Sequence, residues 1–168
     1  VDIYQNLVIT FNGEIYNYKK LRQNLIDHNI KLKTNSDTET LVESISNFGL
    51  SVVSKFNGMF SFAIYDSKSK SLFAARDRFG VKPFFYHKCN DSFYFSSEIK
   101  AIHAAGIKKK PHEKIWASYF AYGSYGMPEE TFWEEIYQLP GGYYLELKNN
   151  TLSITKWYFF EEEVKKFD

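Results

Sequence analysis

Leu7-Val8-Ile9-Thr10-Phe11-Asn12-Gly13-Glu14-Ile15-Tyr16-Asn17-Tyr18 passes from an apolar run through a polar turn signal toward a helical pattern. Its apolar run, Leu7 to Phe11, reads as a buried strand. Asn12-Gly13 at the end of that run is a turn signal, because both residues tolerate unusual backbone angles. A helical pattern begins at Lys19, with Leu21 and Leu25 on one face and Tyr18 just before them. The stretch predicts a strand, a strand-end loop and a helix. Glu14 gives the loop chemical content. An amide side chain, a backbone N–H beside a residue without Cβ, and a carboxylate together can polarise a carbonyl and hold an ammonium group.

Further along the chain, Lys31 to Thr34 alternates as a short strand would. Ser36 with Glu39 three residues on is a capping box. The helix it opens points Leu41, Val42, Ile45 and Phe48 toward the core, and Gly49 stops it. Met59–Tyr65 and Ser71–Ala75 read as strands around a polar turn. Phe84–His87 and Ser92–Ser96 form a second pair around Asn90-Asp91. Short helices fit Glu98–Ala105 and His112–Tyr122. The alternation then returns in Tyr143–Leu147 and Leu152–Trp157. Antiparallel hairpins between helices make an α+β chain.

The formal net charge of +1 implies neither nucleic acid nor an anionic membrane as a partner. Lys108-Lys109-Lys110 before Pro111 reads as a solvated loop. Cys89 is the single cysteine, so no internal disulfide forms and a reducing, cytoplasmic setting is expected. No stretch has the length and apolarity of a membrane span. Cys89 and His87 are two apart, which places both on one strand face, but nothing nearby in sequence orients the imidazole. Cys89 therefore reads as an incidental thiol beside a hairpin turn. His28, His103 and His112 lack metal-ligand spacing and are assigned to the surface.

Six motifs in order carry a resemblance: Asn12-Gly13-Glu14-Ile15-Tyr16-Asn17-Tyr18, Ser36-Asp37-Thr38-Glu39, Phe56-Asn57-Gly58-Met59-Phe60-Ser61-Phe62-Ala63-Ile64-Tyr65-Asp66, Arg76-Asp77-Arg78-Phe79-Gly80-Val81-Lys82-Pro83, Ser96-Ser97-Glu98-Ile99-Lys100-Ala101 and Leu139-Pro140-Gly141-Gly142. The chain resembles the class II glutamine amidotransferase domain, an Ntn hydrolase, in the form found in asparagine synthetases. The resemblance implies a four-layer sandwich of two stacked antiparallel sheets between helical layers. It implies a domain over residues 1–160, with residues 161–168 beginning a linker toward a C-terminal synthetase domain. It implies glutamine as substrate, and hydrolysis to glutamate and ammonia. The ammonia would serve conversion of aspartate to asparagine by the synthetase domain, where ATP and Mg²⁺ are expected. No cofactor or metal is expected in the domain itself. Asn12 and Gly13 correspond to the oxyanion hole, and Glu14 and Asp37 to residues that bind the substrate's main-chain portion. Asp37 is also a helix-start acid favoured by the macrodipole.

The resemblance implies a cysteine nucleophile at a mature N-terminus, preceded by nothing, and an arginine-rich loop that holds the substrate carboxylate. This sequence starts at Val1, inside that pattern, and contains neither. The 168 residues alone are therefore expected to be inactive. Missing strands would leave Leu7–Phe11 with an open edge and Phe60, Phe62 and Phe84 partly uncovered. Self-association or a homodimer is the expectation that follows. Arg76-Asp77-Arg78 is read as an ion-pair network holding a loop, and Ser97-Glu98 as a helix cap lying toward the synthetase domain. Two other functions fit the same residues: amidation of another acceptor, a sugar or a secondary metabolite, and a non-catalytic interaction module.

Overall fold

The computed structural model describes residues 2–4 and 6–165. They form two compact units, Val1–Lys82 with Gly142–Asp168, and Pro83–Gly141. The first unit holds β1 (Asp2–Tyr4), β2 (Leu7–Ile15), α1 (Tyr18–Asp27), α2 (Asp37–Phe48), a 3₁₀ turn (Leu50–Lys55), β3 (Gly58–Asp66), β4 (Ser71–Arg76), β8 (Tyr143–Lys148), β9 (Thr151–Lys156) and α5 (Phe160–Val164). The second holds β5 (Phe85–Cys89), β6 (Ser92–Ser96), α3 (Ile99–Ala104), α4 (Glu113–Tyr122) and β7 (Tyr137–Gln138).

In the first unit the strands pair in the order β1-β2-β3-β4-β8-β9, antiparallel throughout. The turns follow from local chemistry. Asp66 accepts from Lys68 N–H at 2.9 Å and the Ser69 hydroxyl at 2.7 Å, closing β3 onto β4. Asn149 and Asn150 both hold positive φ between β8 and β9, as a tight two-residue hairpin requires. One face of the sheet carries the core. Ile9 and Ile15 of β2, Phe60, Phe62 and Ile64 of β3, and Phe73 of β4 cluster with Leu21 of α1 and Leu41, Val42 and Ile45 of α2. Each large side chain buried this way contributes about 1.5–3 kcal/mol.

Phe60, Phe62 and Phe84 were expected to be partly uncovered, but they are 0%, 1% and 3% exposed. The first two close into the core cluster of their own unit, and Phe84 stacks on Phe95 at 5.5 Å in the other. The edge of β2 is also shorter than expected, because β1 pairs with Leu7, Val8 and Ile9.

Two local readings are corrected. Lys31–Thr34 forms no strand. The N–H groups of Lys33 and Thr34 instead donate to the Glu39 carboxylate, each at 2.7 Å, and the Thr34 hydroxyl joins them at 2.7 Å. The capping box is thus half formed. Ser36 Oγ accepts from Glu39 N–H at 3.1 Å, while the Glu39 side chain reaches back past Ser36 to the preceding turn. Burial would raise the Glu39 carboxyl, but these donors, with Arg22 nearby, outweigh it and lower its pKa.

Asn12-Gly13-Glu14 also departs from its sequence reading. The strand does not end at Phe11. It runs to Ile15, with Asn12 opposite Ser61, Gly13 opposite Phe60 and Glu14 opposite Met59. Two glycines permit this. A Cβ on Gly13, whose φ is +145°, would lie 2.1 Å from the Met59 carbonyl oxygen. A Cβ on Gly58 would lie 2.0 Å from that of Glu14. The backbones approach too closely for any side chain at either position.

The second unit has a three-stranded antiparallel sheet, β6-β5-β7. Its third strand has only two residues, too few for any alternation to show in the sequence. Both sheets are antiparallel and accompanied by helices, in agreement with the α+β reading.

Candidate functional site

Asn12, Gly13, Glu14 and Asp37 are brought to one place by a single bond. Ile15 N–H donates to Asp37 Oδ2 at 3.1 Å, linking the last residue of β2 to the first residue of α2. Asp37 is held from behind as well, since Ser36 and Glu39 fix the start of its helix. The acid therefore complements the helix dipole and also faces the strand.

The ladder decides where the Gly13 N–H points. In an antiparallel pair, each residue turns both backbone groups toward one neighbour or the other, and the direction alternates along the strand. The Phe60 carbonyl accepts from Asp77 N–H at 2.8 Å, and Phe60 N–H donates to Asp77 Oδ2 at 3.2 Å. Both groups of Phe60 thus face away from β2. Its partner Gly13 is a non-hydrogen-bonded position, and its N–H points outward on the far side of β2. Ile15, two residues on, points the same way and meets Asp37. Strand pairing by β1 on that side stops at Ile9. The Gly13 N–H and the Asp37 carboxylate therefore share one edge, with the two strand N–H groups about 7 Å apart.

Asn12 and Glu14 alternate with the core residues, so their side chains leave the opposite face of the sheet from Ile9 and Ile15. Asn12 is half-buried and Glu14 exposed. Neither side chain has a hydrogen-bond partner among the described residues. The Gly13 N–H, unpartnered among the described residues, and the Asp37 carboxylate lie along the edge, and the Asn12 and Glu14 side chains leave the adjoining face, an arrangement that can meet a polarised carbonyl and an ammonium group.

Asn17, quoted in the opening motif without a role, holds the corner that follows. Its side-chain nitrogen donates to the Lys55 carbonyl at 2.9 Å, and its oxygen accepts from Asn57 N–H at 2.9 Å. Tyr16 N–H completes the corner by donating to the Asn57 carbonyl at 2.7 Å. Its signal in the sequence was an amide one residue before a helix, the position of a helix cap, yet it makes no side-chain cap bond.

Arg76-Asp77-Arg78 holds a loop, as expected, but chiefly through backbone groups. Arg76 donates to the Lys82 and Gly80 carbonyls at 2.6 and 2.5 Å. Asp77 accepts from the N–H groups of Phe79, Val81 and Lys82 at 3.1, 3.0 and 3.0 Å. Burial lowers the Arg76 pKa, and the neighbouring Asp77 charge works against that shift.

His87 is buried, its Nδ1 bonded to the Glu135 carbonyl at 2.8 Å, while Cys89 is exposed at the end of β5. The imidazole is thus a satisfied core group. A cleft of about 350 Å³ lined by Leu7, Ile45, Leu50, Asp66, Glu146 and Lys148 opens at the other end of β2, away from the four residues. Among the described residues no group of three His, Cys, Asp or Glu side chains is placed to hold a metal ion.

Residues 1–158 match the glutamine amidotransferase domain family. A putative glutamine-hydrolysing asparagine synthetase 2 of Methanocaldococcus jannaschii is 35% identical over 159 residues, covering 93% of this chain and 30% of that protein. Asparagine synthetase 3 of Bacillus subtilis, also glutamine-hydrolysing, is 38% identical over 156 residues, covering 92% and 25%. The chain thus spans less than a third of the length of these curated relatives. Among solved structures, the glutamine phosphoribosylpyrophosphate amidotransferase of B. subtilis, complexed with ADP and GMP, superposes with a TM-score of 0.67. It does so at 18% identity, over 95% of this chain and 31% of that one, and shares the fold.

Proposed function

The chain belongs to the glutamine amidotransferase domain family, and from that premise we propose that it is the glutaminase domain of an asparagine synthetase-type enzyme. Glutamine enters at the open edge of β2. Glu14 and Asp37 hold its ammonium group. The side-chain carbonyl lies against the Asn12 amide and the Gly13 N–H, which stabilise the negative oxygen formed when a thiolate adds to it. A cysteine supplies that thiolate. Ammonia passes to a C-terminal synthetase domain, toward which residues 161–168 begin the connection. There ATP with Mg²⁺ would activate aspartate. A cytoplasmic enzyme fits this reading, and no helix among the described residues is long and apolar enough to cross a membrane.

The observation that supports this reading most directly is the Ile15–Asp37 bond, which sets an acid beside an outward N–H on one strand edge. The test is release of glutamate from glutamine by the full-length protein, with and without Asn12→Ala. Glutamate release that Asn12→Ala abolishes, beside intact synthesis from added ammonia, supports the reading. No release by the full-length protein would refute it.

A further inference from the structure

Asp77 follows the last residue of β4, is 1% exposed, and has its carboxylate surrounded by backbone donors. Oδ1 accepts from Phe79 and Val81, and Oδ2 from Lys82 and, across the strand boundary, Phe60. In an unbroken ladder Phe60 N–H would meet a main-chain carbonyl. The Asp77 carbonyl is already engaged, accepting from Gly142 N–H at 2.7 Å and Gly80 N–H at 3.2 Å. The side-chain oxygen stands in for it. Both polar groups of the Phe60 backbone are thereby committed to Asp77, and this commitment leaves the Gly13 N–H without a partner in β3. The two strands touch with no slack, since the Phe60 Cα lies 2.6 Å from where a Gly13 Cβ would be. A shift at Phe60 is therefore a shift at Gly13.

We infer that Asp77 is a positioning residue for the oxyanion site, acting through Phe60 to fix the direction of the Gly13 N–H. Its functional consequence rests on the glutaminase reading; the geometry does not. The rival role is that Asp77 only folds the loop from residue 77 to 82. Asp77→Asn separates the two. An amide presents donors where one pair of N–H groups now points, so it cannot accept from all four.

The experiment uses the full-length protein, following glutamine kinetics and the Gly13 amide resonance in a sample labelled with ¹⁵N-glycine. Asp77→Asn should lower kcat at least about tenfold with KM within about twofold, the pattern of an interaction made in the transition state. The Gly13 resonance should move. Phe79→Ala disturbs the same loop through an exposed side chain but leaves the carboxylate in place, and should leave both readouts unchanged. If Asp77→Asn does not fold, Asp77→Glu keeps the charge and displaces the carboxylate from all four donors, Phe60 included, with the same two changes expected. A folded variant with unchanged kcat, with an unmoved Gly13 resonance, or with a raised KM in place of a lowered kcat overturns the inference. Should the unmodified protein release no glutamate, the glutaminase reading fails by itself, and the Gly13 resonance alone decides the role of Asp77.

Discussion

At one end of the β2–β3 pair, Asp66 takes hydrogen bonds from the Asn6 amide, the Lys68 N–H and the Ser69 hydroxyl. At the other end, Asp37 takes one, from Ile15 N–H, and the neighbouring Asn12 and Glu14 side chains take none among the described residues. The first end is covered by β1 as far as Ile9, and among the described residues the second has no strand on that side. A carboxylate offers about four acceptor positions. Asp66 spends most of them on a turn, whereas Asp37 keeps most of them available. Two acids on one pair of strands thus differ in how much bonding capacity the fold leaves them, and the spare capacity marks the end where a ligand can bind.

The contrast is tested most strongly at Asn12. Asn12→Ala in the full-length enzyme should lower glutamine-dependent kcat by about 10²–10³, as for one lost oxyanion donor, and change stability little. Steady-state kinetics beside a melting curve would show it. A large melting shift with unchanged kcat would make this end structural like the other. Next comes Gly58→Ala, whose new Cβ would meet the Glu14 carbonyl at 2.0 Å. A loss of about 1–3 kcal/mol or more is expected from denaturant unfolding, because backbone must move to make room. Asp37→Asn should follow, raising KM for glutamine about tenfold with a smaller change in kcat. Equilibrium binding of glutamine checks it, and unaltered binding would remove Asp37 from the site.

The smallest effect belongs to the turn end. Asp66 is held at about 2, below its ordinary value of 3.8, by the Ser69 hydroxyl first, then the Lys68 N–H and the Asn6 amide. Its ionised form is the one the fold favours. That contribution is present above pH ~4 and is lost as pH falls through about 2. Asp66→Asn should flatten this part of the acid-unfolding profile slightly and leave glutamine binding unchanged.

The elements legible in the sequence were those whose signal is local. α2 begins at a capped Ser36 and ends at Gly49, where φ is +75°, and both residues announce it. The hairpin at Asn149-Asn150 is equally self-contained. Lys31–Thr34 misled because its alternation was outbid by a buried carboxylate several residues away. Asn12-Gly13 misled because its glycine serves a strand. The reason is Gly58, far along the chain, which no local pattern connects to it. The four site residues were legible only as motifs. Nothing in their spacing shows that Ile15 N–H joins Asp37 to the strand, or that Asp77 turns the Gly13 N–H outward.

The side chain of Asn17 ties two chain corners that come together only after β2 has found β3. Between those strands in the chain lie α1, α2 and the 3₁₀ turn. The loop-closure entropy of that long excursion is spent before the pairing returns anything. The open edge of β2 therefore completes late in folding. During synthesis β2 stays unpaired on its β3 side until Gly58–Asp66 has left the ribosome.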